Sequence, residues 1–354
     1  GETYDEFAGA AQAAEELGLR VYLGPAYRTG NPYVVAPGHF ELHFDEERGL
    51  QGLSDAIDFC KAFEGKAGGL IRTMLAPDRI ETCTQRLLER TAAAGTDLAV
   101  PVRLHCCQGE FERDTVRRLH GMTSIEWLAR LRFMSERTLL PHGIFVSPSR
   151  HIPGPGRDLD LIREAGAALV HCPLVSARFG EGLESFRTYR ERGLRMGLGT
   201  DTSPPDMLLN MQVGLMLCRL AEHSVTACRS EDYFDAATLG GADALGRSDL
   251  GKLAPGCRAG IVVWDLASPD IGQAIDPIQT LMIGGTGRDV RSVVIDGHFV
   301  MEDRKIAGMD YDADALRAQR QFEGLVARYP DRTFGHPDVS EIFSTAYPVV
   351  ARPE

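Results

Sequence analysis

The chain has 354 residues, 44% hydrophobic and 25% charged, enough to bury one large core or a core with a small second one. Its net charge of -12 excludes a non-specific nucleic-acid surface, which needs clustered Lys and Arg, and leaves a small molecule as the expected partner. No apolar run reaches about 18 residues, so no membrane span is expected.

The opening stretch, "GETYDEFAGAAQAAEELG", is acidic and helix-forming, the opposite of a basic, apolar secretory signal, and a soluble cytoplasmic protein is expected. Short β-type runs follow: "LRVYLGP" (19–25), "GLIRTMLAP" (69–77), "VPVRLHCC" (100–107), "LLPHGIFV" (139–146), "ALVHCPLV" (168–175) and "RMGLGTD" (195–201). Between them, "RIETCTQRLLERTAAAG", "SIEWLARLRFM" and "LDLIREAGA" carry apolar residues at helical spacing. Strand and helix alternate, the pattern of a parallel sheet covered by helices. An open doubly wound sheet and a closed barrel both satisfy it, but neither a dinucleotide glycine pattern nor a GxxxxGK[ST] loop occurs. His105, His142, His171 and Asp201 fall at the C-terminal ends of successive strands, where barrel enzymes assemble their chemistry, and this favours a barrel.

"GHFELHFDEE" places His39 and His43 at a helical i, i+4 spacing, but it alternates like a strand or extended loop and is not read as a metal site. The eight cysteines show no CxxC pairing and read as reduced, mostly buried thiols, Cys172 among them. After about residue 250, "LGKLAPGCRAGIVVWDL" and "VRSVVIDGHFVMEDRKI" are β-type segments with turn signals and no helix-length partner between them. The expected organisation is a barrel over 1–248, a small β-rich part over 249–308, and a C-terminal helix and tail over 309–354.

Imidazole and carboxylate are ordinary ligands of a divalent metal that activates water. Taken together, "VRLHCCQ", "LLPHG", "LVHCPLVSARFGEG", "GLGTDTSPPDM", "ATLGGADALGRSDLGKLAPGCRAGIVVWDL" and "VIDGHFVMEDRKI" resemble the amidohydrolase superfamily. The likeness is to its cytosine-deaminase-like and triazine-hydrolase branch, notably the hydroxyatrazine ethylaminohydrolase-like members, and it spans roughly residues 10 to 305.

The resemblance implies a (β/α)8 TIM-type barrel with one divalent metal ion, zinc or iron, and a small β-sandwich built from both chain termini. It assigns the metal to His105 and Asp201, and the polarisation of the attacked group to His142. It places His171 at the seventh-strand position. The family's first-strand His-x-His pair has no counterpart here, so by strand count the chain starts before strand three and reads as a piece of a larger polypeptide. A second departure is Gln108, which stands where many members carry a proton-shuttling glutamate. A glutamine can orient water or substrate but has no titrating proton. Glu110 is the nearby alternative carrier, along with His142 and Asp201.

The expected activity is metal-dependent hydrolysis of a C–N bond on a nitrogen heterocycle such as a pyrimidine, purine or triazine, by deamination or alkylamine removal. Asp201 would accept the proton of the water. The loops "YRTGNPYV", "ARFGEG" and "TSPPDM" would read the substrate, with Arg178 or Asp206 on a polar ring edge. A cyclic amide hydrolase and a non-catalytic relative are the alternatives, and a homodimer or larger homo-oligomer is the expected assembly.

Overall fold

A computed structural model of the chain describes residues 3–348 apart from 37, 38, 270, 334 and 344. A first helix, Tyr4–Leu17, starts at Thr3, whose side chain accepts from the Glu6 amide while the Glu6 carboxylate accepts from the Thr3 amide. It leads into β1 (Val21–Leu23) and β2 (Ala26–Tyr27). A hairpin of β3 (Gly30–Ala36) and β4 (His39–Phe44) follows. The segment "YRTGNPYV", expected as a loop, therefore runs largely into a strand, and the His39/His43 segment is its partner.

After the helix Glu46–Phe63 come β5 (Ile71–Thr73) and β6 (Ala76–Pro77), then β7 (Val102–Arg103), β8 (Thr138–Pro141), β9 (Ala168–His171) and β10 (Arg195–Leu198). Every pairing among them is parallel: β1 with β5, β2 with β6, and β7 through β10 in sequence order. Bridges from Leu75 to Val102 and from Arg79 to His105 join the two groups into one array. The array has six rungs if β1 with β2, and β5 with β6, are each counted as one broken strand. Among the described residues β1 and β10 are its edges.

Parallel strands need long crossovers, and each here is a helix with a buried stripe. Gln85–Leu98, capped by Thr84, buries Leu87, Leu88, Thr91 and Gly95. Strands sandwiched this way are largely apolar, as in β8, where Leu139, Leu140 and Pro141 follow Thr138 and every position is buried. Leu104, Leu140, Leu169 and Met196, one from each of four successive strands or strand ends, enter a single core with Trp127 and Tyr189. Behind β10 a helical segment approaches so closely that a Cβ on Gly240 would lie 2.1 Å from the Met196 carbonyl oxygen, leaving room only for glycine.

Beyond this array, β11 (Gly260–Trp264), β12 (Val290–Ile295) and β13 (His298–Met301) form a small antiparallel sheet. It differs from the expectation in one respect, since a helix, Pro277–Gly284, lies between its first two strands. Asp276 accepts from the amides of Ile278 and Gln279, and Pro277 at the first helical position supplies a preset φ. Trp264 and Leu266 pack on the main core, and Asp296 pairs with Arg20 and Arg258. The helix Tyr311–Ala327 buries no side chain. No helix among the described residues is long and apolar enough to cross a membrane.

Candidate active site

Three of the expected residues meet at the C-terminal ends of the strands. His142 follows β8 and is 1% exposed, with its amide bonded to the Val170 carbonyl at 2.9 Å. Asp201 follows β10, its side chain one-fifth exposed, and its Oδ2 lies 3.9 Å from His142 Nε2. The His105 ring, at the end of β7, stands 5.4 Å from that of His142, centroid to centroid, inclined by 25°. His142 and Asp201 both adopt left-handed φ values, 80° and 59°, and so does Cys107 at 59°. Such angles are costly for residues other than glycine, and they cluster where a site holds a side chain in a particular direction.

The electrostatics favour neutral imidazoles. His105 donates from Nδ1 to the Asp78 carbonyl oxygen at 2.8 Å, which leaves Nε2 as the lone-pair nitrogen. Burial, and then the Arg103 guanidinium 3.2 Å away, hold His105 below its usual range. Burial followed by the charge of His105 pushes His142 down to about 3. Neither ring nitrogen of His142 has a hydrogen-bond partner among the described residues.

The remaining expected residues are spread around this centre. The Gln108 amide oxygen is buried and unpartnered among the described residues. Glu110 is exposed in the first turn of the helix Glu110–His120, 3.6 Å from Arg113. His171 is fully buried, pushed down to about 3 by burial, and packs on the Phe186 ring at 5.7 Å. Arg178 donates to the Ser203 carbonyl, tying the loops after β9 and β10 together. Asp206 caps the helix Met207–Ala221, accepting from Leu209 on one oxygen and from Gly287 on the other, both at 3.0 Å. Each oxygen thus accepts from a backbone amide.

Two supporting residues escaped the sequence reading. Glu112 is 1% exposed and accepts from the amides of Cys107 (2.6 Å) and Gln108 (2.8 Å) and from the Ser124 hydroxyl (2.7 Å), so it fixes the turn that carries Gln108. Burial, then the nearby Glu81, push its carboxyl up to about 7. Asn210, fully buried, donates to the Gly199 carbonyl and accepts from the Leu174 amide, clasping the loops after β9 and β10. A lone Asn within the apolar run "MLLNMQVGLML" was the available signal.

Residues 1–300 match the model of the amidohydrolase family. The chain belongs to the amidohydrolase family. It is 27% identical over 332 residues to a 5-methylthioadenosine/S-adenosylhomocysteine deaminase of Natronomonas pharaonis, spanning 93% of this chain and 72% of that one. A 5'-deoxyadenosine deaminase of Methanosarcina mazei is 27% identical, spanning 90% and 69%. In fold, this amidohydrolase superposes on an adenosine deaminase from Xanthomonas campestris with bound zinc (TM-score 0.76, 21% identity, 89% of this chain and 68% of that one). It also superposes on an atrazine chlorohydrolase from Arthrobacter aurescens with zinc (TM-score 0.75, 22% identity, 89% and 69%). The strand array is thus of the α/β, TIM-like kind.

The amidohydrolase family implies a divalent metal, and the donors present fit part of such a site. His105 and His142 offer neutral imidazoles, with both His142 nitrogens buried and unpartnered among the described residues, and Asp201 adds a carboxylate. A tighter grouping of ligand-type atoms, Cys106, Cys107 and Glu112, does not fit. The Glu112 oxygens are already taken by three donors, and burial pushes the Cys106 thiol up to about 11, away from the thiolate that metals bind.

Proposed function

We propose that this amidohydrolase hydrolyses a C–N bond on a nitrogen heterocycle, replacing an amino or alkylamino group by oxygen and releasing ammonia or an amine. The observation that carries this reading is the His142–Asp201 pair: a buried imidazole with open nitrogens 3.9 Å from a carboxylate, both on left-handed backbone at one end of the strand array. The relatives named as deaminases of adenosine-type compounds support a 6-aminopurine nucleoside as the substrate class. The six-rung array corresponds on this reading to strands three to eight of a (β/α)8 barrel.

His105 and Asp201 would hold a divalent cation, zinc by analogy with the zinc-bound structures of the same fold, which when bound supplies Lewis-acid polarisation of a water. Asp201 takes the proton of the attacking water. His142 donates a hydrogen bond to the attacked ring edge, and its burial excludes bulk water from that edge. Gln108 orients water or substrate through its amide, while Glu112 keeps Gln108 in place. Arg178 contributes through the loop it ties down. Asp206 contributes through its helix cap.

The test is a panel of 6-aminopurine nucleosides, aminopyrimidines, alkylaminotriazines and cyclic amides, with ammonia or amine release and product mass as readouts. Release from an aminoheterocycle with gain of oxygen is the expected result. Ring opening of a cyclic amide alone would replace the reading, and no turnover of any compound would favour a binding protein.

A further inference from the structure

Cys218 and Cys228 lie outside the site described above. Cys218 sits in the last turn of the helix Met207–Ala221, and Cys228 two residues ahead of the helix Ser230–Asp235. Both are buried, at 4% and 2% exposure, and their sulfurs are 2.7 Å apart. The other close thiol pair, Cys106 and Cys107, keeps an ordinary 3.6 Å. A covalent S–S bond measures about 2.05 Å, so only a small shift of the two sulfurs separates the free Cys218–Cys228 pair from a bond.

The surroundings give the two sulfurs unequal roles. The hydrogen bond between the two thiols, in which either sulfur can donate, lowers the Cys218 thiol and raises that of Cys228. Glu222, Asp232, Arg190 and Arg187 are charged side chains that act on the pair. The segment between them carries exposed Val225 and Thr226.

We propose that Cys218 and Cys228 form a redox-active dithiol that closes into an intramolecular disulfide on exposure to a hydroperoxide. The Cys218 thiolate attacks the peroxide oxygen, becomes a sulfenic acid and releases water or an alcohol; the Cys228 sulfur then attacks Cys218, and the hydroxyl leaves as water. Two thiols lose two electrons and two protons, and one hydroperoxide is reduced to an alcohol (or water) and water. In a reducing compartment such a bond is transient and redox-responsive rather than structural. It would tie the helix after β10 to the helix holding Tyr233, whose ring stacks on Phe186 at 4.3 Å, the same ring that packs on His171.

The full chain is reduced, treated with a few equivalents of hydrogen peroxide near neutral pH, alkylated and digested with trypsin without reduction. The two cysteines fall in separate peptides, 196–219 and 220–229. Mass mapping should find these linked, in a fraction that rises with peroxide and returns to zero with dithiothreitol. The oxidised protein should melt about 3 °C higher, as expected for closing a short loop in a chain of this size. Cys228→Ser, or Cys218→Ala should the first variant not fold, should abolish both changes. Alkylation of both cysteines after oxidation, sulfinic acid at Cys218 without a cross-link, or a bridge from either to another cysteine would overturn the proposal.

Discussion

His142 Nε2 and Asp201 Oδ2 lie 3.9 Å apart, although the residues follow β8 and β10 with β9 between them. Both sit on left-handed backbone, and the imidazole is buried with no other partner among the described residues. His142→Asn keeps a polar group of similar reach but removes the imidazole. It should lower kcat/KM by 10² to 10⁴, the usual range for a lost proton-transfer or hydrogen-bonding group, with little change in Tm. Steady-state kinetics on the best substrate of the panel checks this; an unchanged kcat/KM removes His142 from the mechanism.

Gln108 presents a buried amide oxygen unpartnered among the described residues, while Glu112 holds its backbone. Gln108→Glu introduces a titrating group beside the site. It should raise turnover or add an acidic limb to the pH-rate profile. Glu110→Gln should have little effect, because Glu110 is exposed and paired with Arg113 on the helix surface. Loss of most activity in Glu110→Gln would instead make Glu110 the proton carrier.

Burial takes the His171 imidazole from about 6.5 to about 3, so the folded state holds it neutral while the unfolded chain protonates it in between. Its contribution to stability is complete above about pH 6.5 and declines as pH falls toward about 3. Glu112 and Asp158, raised to about 7 and about 6 by burial, act in the opposite sense and lose their contribution as pH rises through those values. The variant therefore has to be compared with wild type: His171→Gln should show a shallower fall in Tm between pH 6.5 and 4. Parallel melting curves would remove the assignment.

Asp206 accepts from Leu209 and Gly287. Asp206→Ala should cost about 1 kcal/mol through the lost helix cap and leave KM unchanged. Denaturant unfolding and kinetics on one preparation separate this from substrate binding, which would show as a raised KM at full stability.

Much of the strand array was legible because its central runs are largely buried and bounded by helices, as with "ALVHCPLV", which holds β9 and the start of the helix after it. The positions of His105, His142 and Asp201 at strand ends follow from the same alternation. Four features were not legible. The hairpin of β3 and β4 contains Gly30 and Pro32 in "RTGNPYV", which read locally as a turn; pairing with β4 decides otherwise. The helix Pro277–Gly284 is short, and its signal is one Asp-Pro pair. The commitment of Asp206 to Gly287 joins segments far apart in the chain, which no local pattern encodes. Glu112 is in sequence one more charge on a polar helix, and only the turn at Cys107 gives it a role.

The most direct test of the account measures amine release by the protein stripped with a chelator, reloaded with zinc, and compared with Asp201→Asn treated identically. The account predicts that stripping abolishes release, zinc restores it in the wild type, and Asp201→Asn regains less than about 1%. Release that survives chelation, or an Asp201→Asn variant as active as wild type, would contradict it.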